Sequence, residues 1–124
     1  MKVLLDVSTL VALLWENHVH HVRVETWAKG KTLVLCPITE LGFVRVSSSP
    51  AHNATVREAR EVLGDFIRVS SPEFIPADAR QLDTQAAPTS GKTTDWYLAE
   101  LAEKHGLKWA TLDQNAAHPA ALVI

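Results

Sequence analysis

The sequence has one cysteine and no long hydrophobic run. Cys36 stands alone among 124 residues, which excludes an internal disulfide and fits a reducing compartment, so a cytoplasmic location is expected. The amino terminus carries one lysine and a short apolar stretch that ends at Asp6, with no small-residue cleavage site. We therefore expect neither a signal peptide nor a membrane span.

A strong excess of charge is also absent. The chain has 14 acidic and 12 basic side chains, and a net charge of −2 gives no general attraction for nucleic acid. A polyanionic partner must then be held locally or through a metal ion. With 47% hydrophobic residues and no repeat or linker, residues 1–124 are predicted to form a single domain.

Short apolar runs alternate with helical periodicity along the chain. Strands are predicted at residues 2–5, 32–36, 108–112 and 121–123, with further extended pieces at 67–69 and 74–75. Helices are predicted from Ser8 or Thr9 to Trp15, and at residues 18–29, 37–47, 56–66, 77–86 and 95–105. This alternation, with strands apolar on both faces, predicts an α/β fold with a central, mainly parallel β-sheet flanked by helices.

Two local expectations concern the first pair of helices. Ser8 or Thr9 is the expected cap of the first helix, because a hydroxyl can accept a hydrogen bond from a free amide. On the second helix, Val19, Val22 and Trp27 are expected to face the core.

Acidic residues lie where the predicted elements begin or end. They are Asp6 after the first strand, Glu40 in the first turn of a helix, Asp95 at the start of another helix, and Asp113 after the strand at 108–112. Ligands of parallel sheets bind beyond the carboxyl ends of the strands, so the fold can bring these carboxylates together. Two carboxylates about 4 Å apart repel by about 4 kcal/mol at an effective dielectric near 20, so such a group needs a cation.

An oxygen-only ligand set selects the cation. Without cysteine or an adjacent histidine, these acids favour magnesium, with manganese as a possible substitute, over zinc. A carboxylate beside magnesium can position or deprotonate a water for in-line attack on a phosphodiester. The pattern therefore favours hydrolysis of a nucleic-acid backbone.

Each acid also has a purely structural interpretation. An acid in the first turn of a helix gains about 0.3–1 kcal/mol from the helix dipole, which alone accounts for Glu40 or Asp95. An aspartate that follows a strand, like Asp6 or Asp113, can be a turn residue. The combination of all four is what indicates a site.

Four segments together carry a more specific pattern. They are residues 3–8 (VLLDVS), 37–45 (PITELGFVR), 94–99 (TDWYLA) and 110–113 (ATLD). In this order and spacing they resemble the PIN-domain ribonucleases, specifically the VapC-type toxins of toxin–antitoxin pairs. The resemblance implies a three-layer PIN-like fold and a magnesium-dependent endoribonuclease that leaves a 5′-phosphate. It also implies a homodimer and silencing by a VapB-like antitoxin, and its metal-binding and catalytic residues would be Asp6, Glu40, Asp95 and Asp113.

Two departures from the family pattern concern the neighbours of these acids. Family members commonly have asparagine where this chain has Ser8, whose hydroxyl can hold a carboxylate or water but has a shorter reach. After Asp113 the family often has a basic and an aromatic residue, and this chain has Gln114, Asn115 and Ala116.

Further polar residues are candidates for supporting roles. Ser8 and Thr94 can orient a carboxylate, and Thr94 can instead be a helix cap. Arg45 and Lys92 can contact phosphate or remain solvated surface charges. A zinc site at His18, His20 and His21 is a weaker alternative, because a third ligand at sensible spacing is lacking.

Other functional classes fit less well. A phosphotransferase of the haloacid dehalogenase kind has an acid two residues after its nucleophile, where Asp6 is followed by Ser8. A phospho-acceptor receiver domain has a tandem acidic pair on its first strand and a central aspartate on its third, and neither is found here. The remaining alternative is a catalytically inactive PIN-like module that binds protein or RNA, and the presence of all four acids argues against it.

Overall fold

The strands form one parallel sheet at the centre of the molecule. The computed structural model describes all residues 1–124. The strands are β1 (Lys2–Leu5), β2 (Thr32–Leu35), β3 (Glu73–Phe74), β4 (Lys108–Thr111) and β5 (Ala121–Val123). Their order is β3-β2-β1-β4-β5, and every neighbouring pair is parallel. The central position of β1 explains why it is apolar on both faces.

Helices cover both faces of this sheet. They are α1 (Val7–Leu14), α2 (His21–Ala28), α3 (Pro37–Ser47), α4 (Val56–Ser70) and α5 (Thr93–Lys104). Successive residues of β1 point to opposite faces, and the core divides accordingly. Val3 and Leu5 pack with residues of α1, α3 and α4, whereas Leu4 packs with residues of α5. This three-layer α/β arrangement confirms the predicted fold class.

The first helix is capped differently from the prediction. Asp6 precedes α1, and its Oδ1 accepts a hydrogen bond from the Thr9 amide at 2.6 Å. The expectation that Ser8 or Thr9 caps the helix is therefore wrong, because both lie inside its first turn. Trp15 lies just beyond the last residue of α1.

The second helix begins later than the sequence indicates. Residues 18–20 form a turn in which His18 Nδ1 accepts from the His20 amide, and such a side-chain bond competes with helix formation. The shift changes which residues face the core: Val19 and Val22 are 86% and 73% exposed, whereas Val24 is buried. Of the three expected inward residues, Trp27 alone packs against the core.

The chain departs from the prediction in two further segments. Residues 67–69, predicted as extended, continue α4 to Ser70, since the β-branched residues there lose at most about 0.7 kcal/mol each in a helix. Residues 77–86, predicted as a helix, contain only a short 3₁₀ turn at Gln81–Asp83, in which Leu82 is 96% exposed. Ala79 packs against the core but Leu82 and Ala86 stay exposed, so a helix here would bury little apolar surface, and so short a helix is not stable in water.

None of the helices has the length and apolar character needed to cross a membrane.

Candidate active site

The sheet order brings acidic residues to one edge. The adjacent strands β2, β1 and β4 all end there, and Asp6 follows β1 directly while Asp113 lies two residues beyond β4. Glu40 occupies the first turn of α3, which starts after β2, and Asp95 occupies the first turn of α5. This is the edge at which ligands bind in parallel α/β sheets.

Asp6 is a buried carboxyl group. Asp6 is 3% exposed, and burial raises the pKa of its carboxyl group from an ordinary value of 3.8 to about 6. Hydrogen bonds from Thr9 and Thr111 oppose this rise, and the nearby charge of Asp95 adds to it. A carboxyl group with a pKa near 6 changes protonation close to neutral pH, which is unusual for aspartate.

Asp95 and Asp113 are coupled through a lysine. Lys92 Nζ lies 2.6 Å from Asp113 Oδ2, and this contact lowers the pKa of Asp113 and raises that of Lys92. The pKa of Asp95 is raised first by burial and then by the charge of Asp113, while Lys92 opposes both. The three aspartates Asp6, Asp95 and Asp113 therefore form one electrostatic group.

Glu40 lies at the same edge but apart from that group. Burial alone raises its pKa, with no contribution from the aspartates. Its side chain lines a groove of about 460 Å³ between α3 and α4, together with Leu41, Val44 and Ile67. The start of α3 is nevertheless fixed beside the end of β1, because the Thr39 hydroxyl donates to the Leu5 carbonyl at 2.8 Å.

A close contact between helices supports this edge. A Cβ atom added at Gly42 on α3 would lie 2.4 Å from Val7 Cγ2 on α1, which is too close for any real contact. Gly42 therefore lets α3 approach the residue next to Asp6.

The other predicted residues occupy more exposed positions. Ser8 is exposed on the first turn of α1, and Thr94 is exposed on the first turn of α5, where Lys92 rather than a threonine takes the cap position. Arg45 is exposed in the last turn of α3. The geometry thus draws only Lys92 of these residues into contact with an aspartate.

The chemistry of the donors suits a hard divalent cation. The edge offers carboxylate oxygens whose mutual repulsion raises the pKa of Asp6 and Asp95 in addition to the effect of burial. No three side chains of histidine, cysteine, aspartate or glutamate lie close enough together to hold a metal ion. The match to magnesium is therefore one of ligand type and charge, and the histidines near residue 20 form no such group either.

Two threonines that contact the site aspartates are not among the site residues predicted from the sequence. Thr9 and Thr111 both hydrogen bond Asp6, and the Thr111 hydroxyl also accepts from the Asp113 amide at 3.1 Å. Thr9 follows Asp6 by three residues, which is the spacing of a helix cap and could have been recognised. The sequence gives no local signal for Thr111, because it comes close to Asp6 only through the pairing of β1 with β4.

Comparison with known proteins adds independent evidence. The chain matches the family model described as PIN domain over residues 3–122. Ribonuclease VapC38 of Mycobacterium tuberculosis is 36% identical over 118 residues, covering 89% of this chain and 84% of that protein. Ribonuclease VapC44 of the same organism is 34% identical over 127 residues, covering 94% and 89%.

Solved structures match the fold as well. VapBC2 from Rickettsia felis, bound to a DNA fragment from its promoter, matches with a TM-score of 0.65 at 16% identity, covering all of this chain and 98% of that chain. FitAB bound to an IR36 DNA fragment matches with a TM-score of 0.68 at 20% identity, covering 100% and 94%. At these identities the likeness is one of fold.

Proposed function

This chain belongs to the PIN domain family, and on that premise we propose that it is a VapC-type toxin, a magnesium-dependent endoribonuclease that hydrolyses RNA phosphodiester bonds. The observation that carries the proposal is the electrostatic coupling of Asp6, Asp95 and Asp113, which come from distant parts of the chain. The relatives named ribonuclease VapC, at more than 30% identity over most of the chain, support the same activity.

The proposed ligands of the metal ion are Asp6, Asp95, Asp113 and Glu40, of which Glu40 lies at the same edge but apart from the three aspartates. Magnesium, for which manganese is a possible substitute, supplies positive charge that activates water and neutralises charge on the phosphate. The carboxylates orient the attacking water and accept its proton, and no single one is assigned as the base. Lys92 offers a cation to the RNA backbone at the edge of the site.

Ser8, Thr94 and Arg45 keep supporting roles in this proposal. Ser8 lies in the first turn of α1, which follows Asp6, and Thr94 lies in the first turn of α5, beside Asp95. We assign their hydroxyls to a bound water or a phosphate oxygen, and we assign Arg45 to a phosphate of the RNA. The substrate is single-stranded or looped RNA, whose bases and backbone are accessible to a small nuclease.

The proposal includes two protein partners, a VapB-like antitoxin and a second copy of the chain. Solved structures with the same fold include VapBC2 and FitAB, and this supports an antitoxin partner. Light scattering tests both partners. The molar mass of the purified protein alone shows whether it is a dimer, and the molar mass after co-expression with the product of the adjacent reading frame shows whether the two bind.

The test of the activity compares purified wild type with Asp6→Asn and Asp95→Asn on a panel of RNAs in magnesium. We expect each variant to lose at least about 100-fold in cleavage rate, because each removes a charged ligand while keeping side-chain shape. Asp83→Asn, which changes an exposed aspartate on a 3₁₀ turn, is the matched control and should cleave normally.

Wild-type rates in both purified variants would overturn the assignment of these residues. Wild-type protein that binds RNA but never cleaves it would identify an inactive PIN-like module instead.

A further inference from the structure

A buried histidine lies behind the acidic edge. The His118 side chain is 1% exposed, and both of its ring nitrogens are hydrogen bonded. Nδ1 accepts from the Ala120 amide at 3.0 Å, so the ring proton lies on Nε2, which donates to Glu100 Oε2 at 2.7 Å. A neutral imidazole in one fixed tautomer therefore joins the segment after β4 to helix α5.

Glu100 extends this link to a third segment. Its other oxygen, Oε1, accepts from the Gln85 amide at 2.5 Å, and the two hydrogen bonds hold the pKa of Glu100 below its usual range. Residue 85 lies on the irregular stretch that leads to the 3₁₀ turn Ser90–Lys92.

Each of the three linked segments carries one charged residue of the proposed site. The stretch that includes Gln85 leads to Lys92, helix α5 carries Asp95, and the segment that ends at His118 begins near Asp113. Trp96, the residue after Asp95, also packs edge-on against the His118 ring, with ring centroids 5.0 Å apart. A small cavity of about 70 Å³ is lined by Lys92, Asp95, Trp96, Asp113 and His118.

We propose that His118 is a positioning residue, which through its hydrogen bond to Glu100 sets the spacing of Lys92, Asp95 and Asp113. This inference rests on the proposed function, since it assigns the spacing a role in metal binding and cleavage. His118 itself touches neither metal nor RNA, because its side chain is buried. Hydrogen-bond partners behind a metal site commonly contribute 10- to 100-fold to metal affinity or activity.

The network requires a carboxylate at position 100. Two donors, the Gln85 amide and His118 Nε2–H, face its two oxygens. A glutamine there has only one oxygen, so one donor would face the NH₂ group and lose its acceptor. The other histidine tautomer does not help, because Nδ1–H would then face the Ala120 amide.

Two substitutions break the same link from opposite sides. His118→Asn retains a side-chain oxygen that can accept from the amide two residues on, but it cannot reach Glu100. Glu100→Gln leaves one donor without an acceptor. Glu103→Gln, which removes one charge from an exposed position of the same helix, is the control.

The first measurement is the affinity for Mn²⁺, obtained from the concentration of free ion by electron paramagnetic resonance. The second is kcat and KM for RNA cleavage, with each variant assayed below its own melting temperature. We expect His118→Asn and Glu100→Gln each to lose about 10- to 100-fold in Mn²⁺ affinity and in kcat, with KM within about threefold. The double variant should be no worse than either single one, because both remove one link. Glu103→Gln should match wild type.

The outcomes separate this inference from the proposed function. Suppose that wild type binds Mn²⁺ and cleaves RNA, and that both variants match it in Mn²⁺ affinity and kcat. The role of His118 is then refuted, even if the melting temperatures of the variants fall, and the nuclease proposal stands. If wild type neither binds Mn²⁺ nor cleaves, both proposals fail. Should His118→Asn not fold, Glu100→Gln, a partly exposed position, decides the question alone.

Discussion

Lys92 Nζ lies 2.6 Å from Asp113 Oδ2, so the turn before α5 is tied to the segment after β4 by an ion pair. The other carboxylate oxygen of Asp113 is also hydrogen bonded, because Oδ1 accepts from the Asn115 amide at 2.9 Å. Asp113 is therefore held at both oxygens, and its neighbour Asp95 feels the charges of both partners of the ion pair.

Replacing this lysine should affect metal and RNA in opposite ways. Lys92→Met removes a positive charge beside the carboxylates, so the affinity for a divalent cation should rise. RNA binding should instead weaken, seen as a higher KM for RNA, because a phosphate contact is lost. The free energy of unfolding should change by less than about 1 kcal/mol, since the pair is partly exposed. Metal titration and steady-state kinetics check both directions, and weaker metal binding would contradict the prediction.

The buried Asp6 should make stability depend on pH in the metal-free protein. Because its pKa is raised from 3.8 to about 6 on folding, the folded state binds the proton more tightly, and the unfolding free energy falls as pH rises from about 4 to 6. The shift corresponds to about 3 kcal/mol at 1.36 kcal/mol per pKa unit. Asp6→Asn keeps a good helix cap and removes this loss.

The effect is measured by denaturant unfolding in the presence of a chelator, from pH 4 to 7.5. The quantity compared is the unfolding free energy of wild type minus that of Asp6→Asn. The difference cancels other titrating groups, and the variant should be the more stable protein at pH 7. A difference that stays constant across this range would show that Asp6 does not titrate as described.

Two glycines provide a matched pair for the packing beside Asp6. Gly42→Ala forces a Cβ against the stiff side chain of Val7, so we expect a loss of about 1–3 kcal/mol in stability and slower cleavage. Gly64 lies in helix α4 with no atom near its missing Cβ, so Gly64→Ala should stabilise by about 0.5–1 kcal/mol. Thermal melts and cleavage assays compare them, and equal stabilities would contradict the close contact.

Removal of divalent metal should abolish cleavage, and magnesium or manganese should restore it. Binding to the folded state alone should also raise the melting temperature, by the equivalent of about 2.7 kcal/mol at a concentration 100 times the dissociation constant. Asp6→Asn should show a smaller rise. Cleavage undiminished after exhaustive metal removal would reject the oxygen-only site.

Elements with a strong local pattern were predictable from the sequence. Residues 3–5 are all apolar, and they form the buried part of the central strand, where both faces are covered. The carboxyl-edge location of Asp6 and Asp113 follows from strand–helix alternation alone. The helix predicted at residues 77–86 does not form, because Leu82 and Ala86 remain exposed while Ala79 packs against the core, and periodicity cannot reveal which residues find a partner surface.

The finer arrangement depends on contacts between distant residues. Glu40 and Asp95 look equivalent in the sequence, as acids in first turns, yet only Asp95 is coupled to the other aspartates. His118 lies in a polar stretch with no periodic pattern, so its partner Glu100 is visible only once α5 packs beside β4. Such pairings are set by tertiary packing, which outweighs local propensity.

The position of β4 beside β1 has a consequence for how the protein is made. Thr9 and Ala110 are 101 positions apart in the chain, yet they are hydrogen bonded, and Asp6 also acquires its charged neighbour Asp95 from the later part of the chain. Contacts between residues so distant in sequence form slowly and only when both segments exist. A partly synthesised chain would thus carry Asp6 and Glu40 without their counterparts, and the proposed cleavage would become possible only after Asp95 and Asp113 have been translated.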